Sequence, residues 1–477
     1  MPRALLASLV LSVPITLAIA QPDARPGDPV VRYDNHRVVT LTPRDARDLL
    51  TLEAIGASHM GCEIRRDQPA EFRVPPDRMD ALVASGIPFT VTIPNLQAVV
   101  DAESARLNTP QPRGASWFDD YKNLEAVEAY MTELAALRPD LVTLFDIGLS
   151  IEGRPIRAMR IANDAVDLGR CKPAMLLNAT QHAREWITVM NAMYVADQLI
   201  RLHGTDAYVT DLVDNVDFII VPVVNPDGYV YTWTTSRYWR KNRRSNSGGS
   251  FGVDNNRNWG YQWALPGLSG TAGSSNPDSD VYWGTGPFSE PENQALRDLV
   301  LAHPEIKGHN DIHSYGQLIL WSWGWSPLPT PHQAQLSATG EAMRTAIFEV
   351  NGRSYRPGPI YTTIYPVAGS SVDWFYEEHK VLSMSYELRG SSFSPPRSEI
   401  LPCARETFPA TCVQAEAMIA RHQFISDWNR DCIHDILDIL DFIADLDAQD
   451  PRADLSPDGI VDILDFLTFV ELFAEER

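Results

Sequence analysis

The chain has 477 residues, 44% hydrophobic and 21% charged, which is globular composition on a length greater than one core usually organises, so one large domain with smaller attachments is expected. A net charge of −22 argues against a nucleic-acid partner, because phosphate binding needs a basic face. Beyond the N-terminus no apolar run is long enough to cross a bilayer, so no transmembrane segment is expected in the mature protein.

Residues 1–20 carry Arg3, an apolar stretch from Ala4 to Ile19 and the small-x-small signal Ala18-Ile19-Ala20, the pattern of a secretory signal peptide cut after Ala20. An uncleaved anchor is the alternative, but the run is short and broken by Pro14. A secreted, extracellular protein is therefore expected. Residues 21–112 alternate strand-like runs (Arg37 to Leu41, Phe89 to Ile93) with helix-like segments (Pro43 to Ile55, Pro76 to Ser85), which predicts a small α+β unit. It ends in NTPQPRG, Asn108 to Gly114, the composition of an exposed connector, and Arg106 and Arg113 offer trypsin-like cut sites.

From residue 113 to about 425 the pattern changes. Amphipathic helices, Asp119 to Leu137 and Trp186 to Leu202, alternate with apolar runs, Ala174 to Asn178, Val216 to Asn225, Leu318 to Trp323 and Val381 to Glu387. Such alternation predicts an α/β domain with a mixed, largely parallel central sheet and helices on both faces, its catalytic groups gathered at strand ends. Five cysteines are too few and scattered for a disulfide scaffold; Cys403 and Cys412, nine residues or about 13 Å apart on one predicted helix, cannot bridge each other.

Within this domain Asn178-Ala179-Thr180-Gln181-His182-Ala183-Arg184-Glu185-Trp186 follows a strand and opens a helix, so that His182 and Glu185 converge on one point. A second strand-end histidine stands in Asp311-Ile312-His313-Ser314-Tyr315. Two histidines and a carboxylate with one position left for water is a catalytic zinc pattern; a non-haem iron triad uses the same residue types but usually draws two ligands from positions two apart on one strand.

HAREW, WRKNRR, DNNRNW, DIHSYGQ, IYPVAGSSVDW and YELRG occur in that order between Trp117 and Ile425, and the segment resembles the zinc metallocarboxypeptidases of the pancreatic carboxypeptidase A and B type. The resemblance implies zinc ligands at His182, Glu185 and His313, with the metal acidifying a water and polarising the scissile carbonyl. It implies Glu387 as general base and Arg240 as the cation that holds the developing oxyanion. Asn256 and Arg257 match the pair that grips a free C-terminal carboxylate, Tyr365 the tyrosine that closes over substrate, and Arg184 and Tyr315 residues lining upstream subsites. At the floor of the specificity pocket stands Val372, with Gly324, Ile360 and Ile364 at matching wall positions. An apolar floor implies aliphatic or aromatic C-terminal residues, because a buried, unpaired Lys or Arg would cost several kcal/mol. Residues 21–112 resemble the family's inhibitory activation segment, which implies a zymogen opened by an activating protease. Gly390 departs from the family, which often has Asp after the Leu-Arg pair.

Residues 426–477 form a separate acidic tail; from Asp427 onward it holds fifteen Asp and Glu against three Arg and repeats at a period of 27. The second copy places oxygen donors Asp454, Ser456, Asp458, Asp462 and Asp465 at loop positions 1, 3, 5, 9 and 12, with Ile460 supplying a carbonyl at position 7 and Gly459 the sharp turn. This is an EF-hand-type calcium loop resembling the dockerin repeat. The first copy, Asp427, Asn429, Asp431, Ile433, Asp435 and Asp438, is a further calcium candidate, but Cys432 takes the place of glycine, predicting a strained or differently shaped turn. A tail of paired loop-helix units implies a surface or scaffold partner.

The expected function is thus a secreted zinc carboxypeptidase acting on peptide or protein C-termini. The rivals are a zinc amidohydrolase on acylated amino acids or cell-wall peptides, which has no need of Asn256, Arg257 and Tyr365, and a catalytically silent binding protein of the same fold.

Overall fold

The computed structural model describes residues 29–61, 69–110, 112, 114–166, 168, 171–268, 272–421, 426–456 and 459–475. The predicted signal peptide, Arg113 and Asp458 lie outside the described residues.

The N-terminal unit is a four-stranded sheet in the order β2-β3-β1-β4, built from β1 (Arg37–Leu41), β2 (Ser58–His59), β3 (Ala70–Val74) and β4 (Phe89–Ile93). Every pairing in it is antiparallel. Two of these strands are the ones expected; β2 and β3 were not visible in the sequence. Helix Ala46–Ile55 starts at Asp45, whose side chain accepts from the Arg47 and Asp48 amides, and ends at Gly56 in the left-handed region. Val39, Leu41, Phe72 and Val74 point into one core with Leu52 and Leu82.

The large domain holds an eight-stranded sheet: β5 (Val142–Leu149), β6 (Pro155–Ile161), β7 (Ala174–Ala179), β8 (Asp217–Val221), β9 (Ile306–Ser314), β10 (Leu318–Trp321), β11 (Arg356–Pro359) and β12 (Leu382–Leu388), in the order β11-β10-β12-β9-β7-β8-β6-β5. The central run β12-β9-β7-β8 is parallel, while β10 against β12, β6 against β8 and the edge strand β5 against β6 are antiparallel. Both faces are covered, so β7 and β8 read as largely apolar runs, while β9 and β12 carry buried polar residues toward the site. Met175 and Leu177 of β7 pack on one side with helices Leu124–Leu137, Trp186–Leu202 and Ile400–Arg421; Ala174 and Leu176 pack on the other with Leu296, Trp374 and Phe375. The fold is the mixed α/β architecture expected.

Several boundaries differ for local reasons. The helix expected from Asp119 begins at Leu124, because Asn123 caps it by accepting from the Ala126 amide. The run expected to be strand through Asn225 stops at Val221, before Pro222; Asn225 then caps helix Pro226–Thr234, with its side chain accepting from the Gly228 amide. Cys403 and Cys412 stand free and buried on helix Ile400–Arg421.

The tail forms two loop-helix units, with helices Ile436–Asp447 and Ile463–Glu475. Their cores are related by the repeat, with Phe442 stacked on Phe469 at 4.2 Å. Cys432 has φ of 67° and Gly459 φ of 82°, so the residue at this position of each loop is left-handed. The Cys432 amide donates to Asp427 at 3.2 Å, and its side chain is bonded to Cys171, 261 residues earlier, with their Cα atoms 5.3 Å apart. The tail is thereby stapled to the segment leading into β7.

Candidate active site

The parallel strands bring three segments to one edge of the sheet. In the β12-β9 pairing Glu387 lies opposite His313, and Ala179 at the end of β7 lies opposite Ile312. The chain leaving β7 then turns, presents His182, and enters helix Trp186–Leu202 with Glu185 as its N-cap, where the positive end of the helix dipole favours a carboxylate.

His182 Nδ1 lies 2.9 Å from Glu185 Oε1, and His313 Nδ1 lies 3.0 Å from His182 Nδ1 and 3.2 Å from Glu185 Oε2. All three residues are buried, and one ligand atom from each lies within 4.8 Å of the others. Two imidazole nitrogens and a carboxylate oxygen suit zinc. Among the described residues the other group able to hold an ion, Cys171, Asp427 and Cys432, contains the disulfide.

An outer layer fixes these side chains. Asp254 Oδ1 accepts from His182 Nε2 at 3.1 Å, and Asp311 Oδ2 lies 2.9 Å from His313 Nε2. Carboxylate partners on the far ring nitrogens leave both Nδ1 atoms directed at the ion site and raise their basicity. Asp311 is held in turn by Asn178, Gln181 and Ser371, and the Ser314 amide donates to Glu185. Burial pushes the Glu185 carboxyl up, but the two imidazoles outweigh it and keep it below its ordinary range. Likewise burial opposes His313 in holding Asp311 at about 2. Three carboxylates facing two imidazoles make the cluster attractive to a dication. Asp254 and Asp311 were not assigned from sequence, although both stand inside quoted motifs, Asp311 two residues before His313.

Arg240 is buried, donating from Nε and Nη2 to Asp254 Oδ2 at 3.1 and 2.9 Å, so one carboxylate ties a histidine and a guanidinium together. Asn256 accepts from the Ser371 amide at 3.0 Å and lies 3.1 Å from His313 Nε2 through Nδ2. Arg257 donates to the Asn256 carbonyl at 2.8 Å, and its guanidinium lies 5.9 Å from the Tyr365 ring centroid.

His182, His313, Asn256, Arg257, Tyr365 and Glu387 line one pocket, which continues into an apolar end formed by Leu320, Ile360, Ile364, Val367 and Val372. Ser370 and Ser385 complete the lining. Gly324 is not on this lining. It stands one layer back, where an added Cβ would come within 3.3 Å of Ile360 Cγ2. Leu320, Val367 and Ser385 were not singled out from sequence; the signal for Ser385 is its place two residues before Glu387 on β12, and Leu320 lies opposite Ser385 in the β10-β12 pairing.

Arg184 and Tyr315 meet on a different wall. Arg184 stacks over the Phe393 ring at 4.2 Å and Tyr315 packs edge-on to it at 5.1 Å. The N-terminal unit covers this wall: the Tyr315 hydroxyl donates to the Met60 carbonyl at 3.1 Å, and Tyr33, Met60 and Leu96 share a cluster with Tyr238 and Phe393. Glu103 accepts from Arg237 Nε at 2.6 Å, and Arg106 pairs with the buried Asp120.

A model of the zinc carboxypeptidase family matches residues 127–410. The chain belongs to that family. It is similar to carboxypeptidase A2 of Rattus norvegicus, 36% identical over 334 residues that cover 69% of this chain and 78% of the relative. It is also similar to zinc carboxypeptidase A 1 of Anopheles gambiae, 32% identical over 408 residues covering 82% and 92%. Among solved structures, the carboxypeptidase A of Helicoverpa armigera superposes with a TM-score of 0.71 at 30% identity, covering 81% of this chain and 98% of that one. Thrombin-activatable fibrinolysis inhibitor gives 0.73 at 28% identity, covering 81% and 100%. This zinc carboxypeptidase is a metal-dependent peptide hydrolase acting at C-terminal peptide bonds, and no helix among its described residues is long and apolar enough to cross a membrane.

Proposed function

We propose that this carboxypeptidase is exported and releases apolar C-terminal residues, with zinc held by His182, Glu185 and His313. The metal supplies Lewis acidity toward a water and the scissile carbonyl. Glu387, in register with His313 and on the same pocket wall, takes the proton from the attacking water and returns it to the leaving amine. Arg240, fixed by Asp254, presents its cation to the carbonyl oxygen as charge develops. Asn256 and Arg257 grip the free carboxylate, and Tyr365 closes the site above it. The single observation that carries the specificity is the uncharged pocket end around Val372, which would leave a Lys or Arg side chain unpaired. Release of Phe or Leu, in preference to Lys, from trypsin-treated protein tests it; a preference for Lys overturns it.

The amidohydrolase reading is disfavoured by the Asn256, Arg257 and Tyr365 set on the pocket wall, for which an acylated substrate without a free carboxylate has no use. The silent-protein reading is disfavoured by the intact donor set.

Residues 21–112 act in this reading as an activation segment. The Met60 contact with Tyr315 supports it, since the unit occupies the wall where upstream substrate residues would lie. An activating protease cutting near Arg113 releases it. For the tail, the reading is calcium in both loops and a surface or scaffold partner. Left-handed residues at Cys432 and Gly459, and matching bonds in which Asp438 and Asp465 accept from the Asn429 and Ser456 amides, support this reading. Calorimetric titration of the full chain with calcium, repeated with Asp465→Ala, tests this part.

A further inference from the structure

We propose that Asp373 is a positioning residue that sets the shape of the apolar specificity pocket. The inference rests on the pocket reading above and adds to it the group that holds the walls in place.

Asp373 is itself outside the pocket lining and is 1% exposed. It follows Val372, the pocket floor, in the first turn of helix Ser371–His379. The Gly324 amide donates to both of its oxygens, at 3.0 and 2.9 Å, the Asp373 amide donates to Ser370 Oγ at 3.4 Å, and the Trp325 amide and the Ser322 hydroxyl lie beside it. All four neighbours are neutral dipoles drawn from two segments, 322–325 and the helix N-terminus. A buried carboxyl held in this way fixes the backbone that supplies its donors, since any displacement would leave a buried polar group without a partner.

That backbone is the frame of the pocket. The Trp323 and Gly324 carbonyls accept from the Tyr361 and Val367 amides at 2.8 and 2.7 Å, and Ser322 Oγ lies 3.2 Å from the Val372 carbonyl. Segment 322–325 thus connects Asp373 on one side to the 360–367 loop on the other, and that loop carries Ile360, Ile364, Tyr365 and Val367. Packing here leaves no slack. A Cβ on Gly324 would lie 3.1 Å from both Asp373 Oδ2 and the Val367 carbonyl, so glycine is what lets carboxylate and loop close on the same backbone. Asp373 therefore acts through the Gly324 amide on the position of Ile360 and Val367, and its own charge never meets substrate.

Asp373→Asn tests this, because the amide keeps one acceptor but turns an N–H toward donors that need an oxygen. With trypsin-activated protein, zinc content and thermal transition are measured beside KM and kcat for peptides ending in Phe, Leu and Ala. The expected result is a rise in KM for Phe of roughly tenfold, a smaller change in kcat, and a reduced Phe-to-Ala ratio, with zinc retained. A folded variant with wild-type KM and wild-type ratio, or one that loses kcat equally for all three peptides, overturns the proposal. If Asp373→Asn does not fold, Gly324→Ala probes the same contact from the other side and must shift the Phe-to-Ala ratio in the same direction. Wild-type preference for Phe over Lys, measured in the same assay, separates a failure of the pocket reading from a failure of this one.

Discussion

Asp254 binds His182 through one carboxylate oxygen and Arg240 through the other, so the orientation of a metal-facing imidazole and of a buried guanidinium depends on the same side chain. Removing it should disturb both. Asp254→Ala is expected to weaken zinc binding about 10- to 100-fold, read by competition with a chelator, and to lower kcat as well. Unchanged zinc affinity would mean that His182 is held by other contacts.

The pocket floor offers a specificity reversal. Val372→Asp places a carboxylate among Leu320, Ile360 and Val367. Release of Phe should fall at least about 100-fold while release of Lys and Arg rises from background, because the buried acid is left unpaired by Phe and paired by a cation. Comparative kcat/KM on matched peptides is the measurement.

Glu292 provides a pH prediction away from the site. It is fully buried, accepts from the Ile151 amide and Asn242, and has Asp227 and Glu290 nearby; burial raises its carboxyl from 4.5 to about 7. A carboxyl whose pKa is higher in the folded state favours folding below its unfolded pKa and loses that contribution as pH rises to the folded value. Stability should therefore decline between pH about 4.5 and 7 on its account. Glu292→Gln should flatten that decline, so that the difference in Tm between variant and wild type is more favourable to the variant at pH 8 than at pH 5. An equal difference at both would contradict the assignment.

The Cys171–Cys432 bond predicts a redox effect on the tail. Cys171→Ser, or mild reduction, should make the tail easier to remove by limited proteolysis and should destabilise its docked state by about 2–4 kcal/mol. Lys307, half-buried beside Asp427, Glu305 and Asp431, is the electrostatic remainder of that contact. Identical digestion patterns in both redox states would show that the staple is dispensable.

Much of this arrangement was legible in the chain. The apolar runs from Ala174 and Val381 read as strands because both faces are covered, and helix Trp186–Leu202 has the bounds expected from its periodicity. The order of motifs pointed to the three donors, which the parallel pairing of β7, β9 and β12 then brings together. Less visible were β5 and β6, whose half-exposed residues lack a clean alternation, and β2, which is only two residues long. Asp254 was unreadable for another reason: a loop carboxylate becomes an imidazole partner only when the fold brings it to a histidine far away in the chain, whereas Asp311, two residues before His313 on β9, carried its signal in the spacing. The Cys171–Cys432 pairing has the same character as Asp254, since the sequence puts Cys432 in the first loop but says nothing of which residue lies beside it.

In the proposed mechanism Glu387 handles the proton beside a zinc ion held by His182, Glu185 and His313. Measuring zinc content and peptide hydrolysis together on trypsin-activated Glu387→Gln tests it most directly. One zinc per chain with hydrolysis reduced about 1000-fold is the predicted result. A Glu387→Gln variant that retains wild-type turnover, or a metal-free wild-type chain that hydrolyses peptides at the normal rate, would contradict it.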